Sequence, residues 1–301
     1  ALIAARVLQA LGGCVGVVIA RAAIRDRLDL NASAQAFSSM MIVMGLAPIL
    51  APIVGAFILQ FFAWQAVFIS LMVIGLICLI CVHLFFDETL RVDRRLKLSL
   101  RQVLLLYGSI LQDRSFRMPM LAGCLTGAAL FCYISSASAV FMGQYGMGQQ
   151  AFASAFALNA LGIMIMSSFN KYLAQKVGVM QRLKMGGILQ LTGAVIIVIS
   201  GLISDTPLGL LMLGLFMTIS GIGLTGPNAM ALAMSKQGAR AGTASAIMGS
   251  AQFSLGLLGG IALNFLWGSA VMNMGILMLF FICLGFIAIL RLSRDQQMQN
   301  I

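Results

Sequence analysis

The sequence predicts an all-α polytopic membrane protein, and three observations carry that prediction. Of 301 residues, 61% are hydrophobic and only 9% are charged, with 32 glycines, a balance outside the range of soluble domains. Apolar stretches of about 20 residues, the length of one bilayer crossing, recur along the whole chain. All but one of the 19 lysines and arginines fall at or between the ends of those stretches, on alternate connecting segments.

In chain order the apolar spans fall at roughly 1–22, 34–60, 64–86, 117–141, 149–172, 184–204, 207–233, 241–266 and 269–291. The first holds the one cation outside the connections, Arg6, with Gln9 one turn on and close to the same face. An arginine within a span is disfavoured by about 2.5–3.5 kcal/mol on insertion scales, so Arg6 is a functional candidate that faces a cavity; the other reading is that it snorkels to the surface. Ala1 opens inside this span with no initiator methionine or charged leader, which reads as a chain lacking its true N-terminus.

The second span, MMIVMGLAPILAPIVGAF, carries Pro48 and Pro52 four residues apart beside a stripe of small side chains, Ala47, Ala51 and Gly55. A bilayer tolerates such prolines because the backbone has no alternative to helix. Small residues at every fourth position admit a neighbouring helix closely. Either a packing helix with a bend or a gating hinge is consistent with that pattern.

The third span ends at His83, the only histidine, near the interface. The longest polar connection, residues 87–118, follows it. Within that connection Leu100, Val103, Leu104 and Tyr107 recur at helical spacing beside Lys97 and Arg101, predicting a helix on the membrane surface. It divides the chain into three spans, then six. The expected parts are 1–90, a linker at 91–115 and a six-helix unit at 116–301.

Polar residues within the later spans include Thr126, Tyr133, Ser135, Asn159, Thr225, Asn228, Gln252 and Asn264. Most are expected to join helices by hydrogen bonds of about 0.6 kcal/mol each. Tyr133, Asn159 and Gln252, with Gln9, are the candidate cavity contacts. The 21 methionines offer an adaptable apolar surface.

The basic connections, at 21–27, 87–118, 171–184, 236–240 and the C-terminal end, alternate with connections around 61–66, 142–150, 204–207 and 266–271 that contain no cation. By the positive-inside rule the basic segments and the C-terminus are cytoplasmic. The same rule accounts for the net charge of +11 without any nucleic acid. Trp64 and Trp267, the only tryptophans, mark the opposite interface.

Other chemistries find little support. Cys14, Cys78, Cys81, Cys124, Cys132 and Cys283 lie in apolar runs as reduced thiols, and the Cys78–Cys81 pair lacks the second pair or histidine a metal site needs. Gly221, Gly223 and Gly226 spell GxGxxG inside a membrane span, where close helix packing and not dinucleotide binding is the expected role. No enzyme chemistry, metal or cofactor is expected, because all eight acids lie in connections and no histidine lies mid-span. A weak repeat relates the halves: superimposing Trp64 on Trp267 carries Ser39, Ala47 and Ala51 onto Gly242, Ser250 and Ser254 of a second small-residue stripe. Parallel six-helix repeats of this kind build transporters.

Several segments carry a resemblance to a known family. Leu2, Arg6, Gln9, Gly12 and Gly13 look like the fourth-helix motif of major facilitator drug:proton antiporters, with Ala10 in place of the usual glycine. Ala47, Ala51, Pro52, Gly55 and Ala56 resemble the fifth-helix antiporter motif, with alanine replacing glycine at three places. Together with LAPILAPIVGA, DETL at 87–90, FALN at 156–159, NAMA at 228–231 and AGTASA at 241–246, the chain is most similar to the Bcr/CflA bicyclomycin-resistance type.

The resemblance implies a major facilitator fold, helices 4–12 of two six-helix halves, in a bacterial cytoplasmic membrane. It implies export of drugs or other amphipathic molecules in exchange for protons by a monomer, with a polar metabolite as the alternative substrate. Arg6 would serve proton coupling, and Ala47, Pro48, Ala51, Pro52 and Gly55 would form the gating element. The proton acceptor is not assigned, because the family's acidic residue belongs to a helix absent here.

Overall fold

The structure, a computed structural model, describes residues 2–86, 88, 99–203 and 205–299. Among them there are helices and connections but no strand. The helices are α1 (Leu2–Arg27), α2 (Leu30–Phe61), α3 (Gln65–Phe85), α4 (Leu100–Gln112), α5 (Arg114–Ser138), α6 (Gln149–Leu173), α7 (Val179–Leu202), α8 (Leu208–Ser220), α9 (Ile222–Met234), α10 (Ala241–Ala262) and α11 (Ala270–Gln299). Nine segments of the described residues are long and apolar enough to cross a membrane.

The expected spans are met with three differences. The crossing expected at 207–233 is two helices, α8 and α9, meeting at Gly221, whose backbone stays helical at φ −56° and ψ −22°. Helix α5 continues through a π-helical turn at Ala139–Gln144. Helix α7 begins before the expected 184, so Arg182 stands inside a helix; Arg21 likewise stands inside α1. A chain in an apolar medium keeps its backbone bonded, so helices extend past the hydrophobic run into the polar residues that flank it.

The amphipathic segment after the long connection forms α4. Ser99 accepts from the Gln102 backbone and the Gln102 side chain accepts from the Ser99 backbone, a reciprocal cap. Its Ile110 is fully buried against the bundle. The DETL motif lies mostly outside the described residues, with only Glu88 included, as does most of the linker before Ser99.

Helices α5–α11 form one bundle, with α5 against α9, α10 and α11, and α7 against α8, α9 and α11. Glycines set the closest crossings. A Cβ on Gly193 of α7 would lie 2.6 Å from the Gly214 carbonyl of α8, and one on Gly223 would lie 2.7 Å from the Ile163 carbonyl of α6. Backbones approach this closely only where side chains are absent, and in a bilayer such packing is a main source of helix association. The GxGxxG motif is therefore a packing device.

Two hydrophobic clusters fill the molecule. The one at the end carrying the basic connections joins Ala34 and Phe37 of α2 to Phe116, Leu183, Met230, Met234 and Ile289. The one toward the tryptophan end is built from residues between Ala128 and Ile282, with none from α1 or α2. Among the described residues, the first three helices thus share a core with the bundle at the basic end only. Helix α2 lies along α6 and α9, α1 lies along α10, and α3 buries no residue.

At the tryptophan end the bundle has its own clasp. The Tyr145 hydroxyl donates to the Thr206 carbonyl at 2.8 Å, and Gln144 joins the Thr206 hydroxyl (3.3 Å) to the Val271 N–H (3.2 Å). Thr206 has a φ of +31°, rare for a β-branched residue and held here by these bonds. Partial burial raises the Tyr145 phenol above its ordinary range.

Candidate functional site

At the basic end, arginines close the seam between the first helices and the bundle by reaching the carbonyl ends of helices. The last carbonyls of a helix lack partners and carry partial negative charge, which suits a cation. Arg25 of α1 donates through Nε to the Met234 carbonyl at 2.9 Å and through Nη2 to the Ser235 carbonyl, both at the C-terminus of α9. Arg182 of α7 is fully buried and donates to the Asn170 carbonyl (3.2 Å) near the end of α6 and to the Val177 carbonyl (3.0 Å).

A polar network spreads from Arg182 across four helices. Its guanidinium also donates to Asn170 Oδ1 (3.1 Å) and to Asn31 Oδ1 of α2 (3.3 Å). Asn170 Nδ2 donates to Ser38 Oγ of α2 at 2.7 Å, and Asn228 Nδ2 of α9 donates to Asn170 Oδ1 at 2.8 Å. Buried polar groups in hydrocarbon need partners, so this set acts as a unit. Two of its bonds, to Asn31 and to Ser38, tie α2 to the bundle. Further into the seam, Gly45 of α2 is buried, and a Cβ there would lie 2.8 Å from Met164 Cγ.

Outside the spans, Asp113 links α4, α5 and the α9–α10 connection. It caps α5, accepting from the Ser115 backbone (2.9 Å) and hydroxyl (2.8 Å), and it accepts from Gln237 Nε2 at 3.2 Å. The Ser115 hydroxyl, above all, holds its carboxyl below the ordinary carboxylate range, with partial burial opposing and the Ser115 N–H, Gln237 and Arg240 assisting. Asp113→Ala is expected to lose about 1 kcal/mol of stability at neutral pH through the missing cap. Because the folded carboxyl titrates lower than the unfolded one, its contribution is present above about pH 4 and fades as pH falls through the depressed value. Melting curves of wild type and variant should therefore converge toward pH 3, and a constant gap would remove the charge from the account.

The sequence-derived candidates separate. Tyr133 and Asn159 meet: both are 1% exposed, Asn159 Nδ2 donates to the Tyr133 hydroxyl at 3.0 Å, and the Tyr133 ring stacks on Phe156 at 5.2 Å. The Asn159 Oδ1 is buried with no hydrogen-bond partner. Gln252 is half-buried and, with Met41 of α2, Cys124 and Thr225, lines a cavity of about 30 Å³ in the seam. Such a space holds a water and not a solute.

Gln9, Ala47 and Ala51 are exposed, and a Cβ on Gly55 would meet nothing within 4 Å. The small stripe of α2 is thus not the contact seam among the described residues; Gly45 is. The side chains of Arg6, Pro48 and Pro52 lie outside the described set, although all three residues are within α1 or α2.

The sequence reading missed Arg21 and Arg182, both counted among the basic connections, and with them Asn31, Ser38 and Asn170. Gly178 as a helix start was the available signal for Arg182 lying within a helix; its partners on α2, α6 and the connection after α6 leave no one-dimensional trace. Among the described residues no three His, Cys, Asp or Glu side chains cluster as a metal site would need.

Comparison with known proteins agrees with this architecture. The sequence pattern of the Major Facilitator Superfamily matches residues 1–260. The uncharacterized MFS-type transporter YdgK of Bacillus subtilis is 31% identical over 99% of this chain and 74% of its own length. A bicyclomycin resistance protein homolog of Haemophilus influenzae is 27% identical over 85% of this chain, and the multidrug resistance protein MdtL of Citrobacter koseri is 26% identical over 82%. The chain spans 64% and 61% of the lengths of these last two. In fold it is similar to the crystal structure of the human organic anion transporter MFSD10, with a TM-score of 0.71 at 19% identity over 91% of this chain and 67% of that one. With a multi-pass helical bundle, a seam closed at one end and a family pattern running through most of its length, the chain belongs to the Major Facilitator Superfamily, a family of transporters and not of enzymes.

Proposed function

We propose that the protein exports drugs or other amphipathic small molecules by alternating access, coupled to proton entry, and that this arrangement is its state closed on the cytoplasmic side. The observation that carries the reading is the shared core and the Arg25 and Arg182 bonds at the basic end, with no corresponding core between α1–α2 and the bundle at the tryptophan end among the described residues. A seam sealed at one end alone is what alternate opening requires. The excess of Lys and Arg orients the sealed end and the C-terminus toward the cytoplasm of a bacterial inner membrane. The relatives named for bicyclomycin and multidrug resistance support the substrate class. No nucleic acid takes part; the bilayer, protons and a solute are the partners.

Arg6 biases the charge state of the coupling site. The exposed face of Ala47, Ala51 and Gly55, with Pro48 and Pro52 in the same helix, forms the gating element on the open side. Gln9 and Gln252 contact the solute, and the Tyr133–Asn159 pair offers it the unpartnered Asn159 Oδ1. The second reading, export of a polar metabolite, draws on the same polar groups.

The test uses inside-out vesicles carrying the full-length protein, energised and challenged with cationic, neutral and anionic drugs while the pH gradient is followed. Some drugs are expected to dissipate the gradient in wild type, with at least about tenfold less effect in Arg6→Ala, the scale of losing about 1.4 kcal/mol of coupling. Silence across the panel from well-expressed protein would transfer the reading to metabolite export.

A further inference from the structure

The long polar connection after α3 ends in a residue whose bonds lead to the seam. Asp113 closes α4 and opens α5, and its Oδ2 accepts from Gln237 Nε2 of the α9–α10 connection at 3.2 Å. Gln237 is only 1% exposed, and its backbone N–H donates to the Met234 carbonyl at 3.1 Å. The same carbonyl accepts from Arg25 Nε of α1 at 2.9 Å. Three hydrogen bonds, joined through Gln237 and Met234, therefore run from Asp113 to the arginine that holds α1 against the bundle.

Each step of this chain is held on its other sides. Ser115 fixes Oδ1 of Asp113 through its N–H and its hydroxyl. Arg240 lies within electrostatic range of the same carboxylate, and its N–H donates to the Gln237 carbonyl at 2.7 Å. The α9–α10 connection turns at Gly238, with a φ of +37° that glycine adopts without strain, and α1 lies against that turn. Ile110 of α4, fully buried, belongs to the same apolar cluster as Met234. A short turn pinned in this way passes a displacement on, because packed elements exchange between discrete arrangements and do not deform continuously.

We propose that α4 and Asp113 latch the seam: by fixing Gln237 they hold the Met234 and Ser235 carbonyls where Arg25 reaches them, so the position of this connection sets how readily the seam opens. A shift of the α9–α10 connection by about 1 Å takes the Arg25–Met234 bond beyond hydrogen-bonding distance. Asp113 and Gln237 are positioning residues that act through Arg25. The latch rests on the alternating-access reading in that the seam must open as well as close.

The test is a double-mutant cycle on the full-length protein in nanodiscs, read as N-ethylmaleimide alkylation of Cys124 in the seam by mass spectrometry. Asp113→Ser keeps a capping hydroxyl for α5 but is too short to reach Gln237, and Gln237→Leu removes the amide at similar size. Each is expected to accelerate alkylation about fivefold, the scale of one net hydrogen bond, with little change in melting temperature. The double variant should match either single and not their product of about 25-fold. Arg25→Met should accelerate alkylation as well, and Gln237→Leu should add nothing to it. Cys132, fully buried in the cluster toward the tryptophan end, reports general loosening and should keep its wild-type rate. The latch is overturned if Asp113→Ser and Gln237→Leu leave Cys124 at the wild-type rate, if their effects multiply, or if Cys132 accelerates with Cys124. Acceleration in Arg25→Met alone removes the latch and keeps the sealed seam; none in Arg25→Met removes both. Should Asp113→Ser not fold, Gln237→Leu in the wild-type and Arg25→Met backgrounds still decides it. Neither drug nor pH gradient is involved, so absent proton movement in vesicles would refute the coupling reading and leave the latch standing.

Discussion

Gly193→Val is expected to prevent normal assembly of the α5–α11 bundle. A Cβ at this position would lie 2.5 Å from Thr218 Oγ1, 2.6 Å from the Gly214 carbonyl and 2.7 Å from the Thr218 backbone nitrogen. A flexible side chain can turn away, but two of these three atoms are backbone. Helix α8 cannot retreat either, since Gly214 itself faces the Ile197 side chain at 2.8 Å and the Gly193 carbonyl at 2.9 Å by the same measure. Overpacking a tight core is destabilising by about 1–3 kcal/mol, and the backbone contacts place this substitution at or beyond the upper end. The measurement is the monodisperse fraction and melting temperature of detergent-purified protein. Gly209→Ala, where a Cβ meets nothing within 4 Å, should behave as wild type. Near-normal melting of Gly193→Val would mean that α7 and α8 do not cross as described.

Arg182→Met is expected to have the next largest effect, and to act on the closure of the seam as well as on stability. The arginine stands in the first turn of α7, where the helix dipole disfavours a cation, so its bonds must more than offset its position. Removing it strands the Asn31 Oδ1 acceptor and the Val177 carbonyl and leaves Asn170 Oδ1 with Asn228 alone. Breaking a buried, hydrogen-bonded charge from one side typically loses about 3–5 kcal/mol. Part of that loss falls on the closed arrangement alone, because the Asn31 bond and the Ser38–Asn170 bond hold α2 to the bundle. Alkylation of Cys124 in the seam should therefore accelerate by about tenfold or more, the equivalent of about 1.4 kcal/mol. Asn31→Ala separates the two effects: it removes one bond across the seam and leaves the others, so accessibility should rise with little loss of melting temperature. Unchanged alkylation in both variants would show that the network is internal to the bundle and does not control closure.

Legibility varied with the kind of signal. Hydropathy gave all nine crossings, because a bilayer demands about 20 apolar residues wherever a helix crosses it. The spacing of Leu100, Val103, Leu104 and Tyr107 gave α4, and the glycines at 221, 223 and 226 gave a packing surface. The same hydropathy misjudged Arg21 and Arg182, since a charge near the end of an apolar run reads as a connection whether its head reaches water or turns inward. The small stripe of α2 was visible as a pattern, but the buried contact proved to be Gly45, two residues before it and on another face of the helix, where Met164 of α6 approaches. Small residues permit close approach; they do not say which neighbour comes.

By itself, the sequence determined that this is a multi-pass helical membrane protein, where its helices run, which ends share the basic connections, and which family it belongs to. These follow from one-dimensional quantities, hydrophobic length, charge placement and local motif, that the bilayer reads segment by segment. Only the tertiary structure decided that α1 and α2 meet the bundle at the basic end, that Arg182 is satisfied by Asn170, Val177 and Asn31, and that Arg21 is buried between α1 and its neighbours rather than turned to the surface. Those depend on which helix faces meet, and pairing energies between residues 12 to 151 positions apart leave no imprint on the hydropathy of either segment.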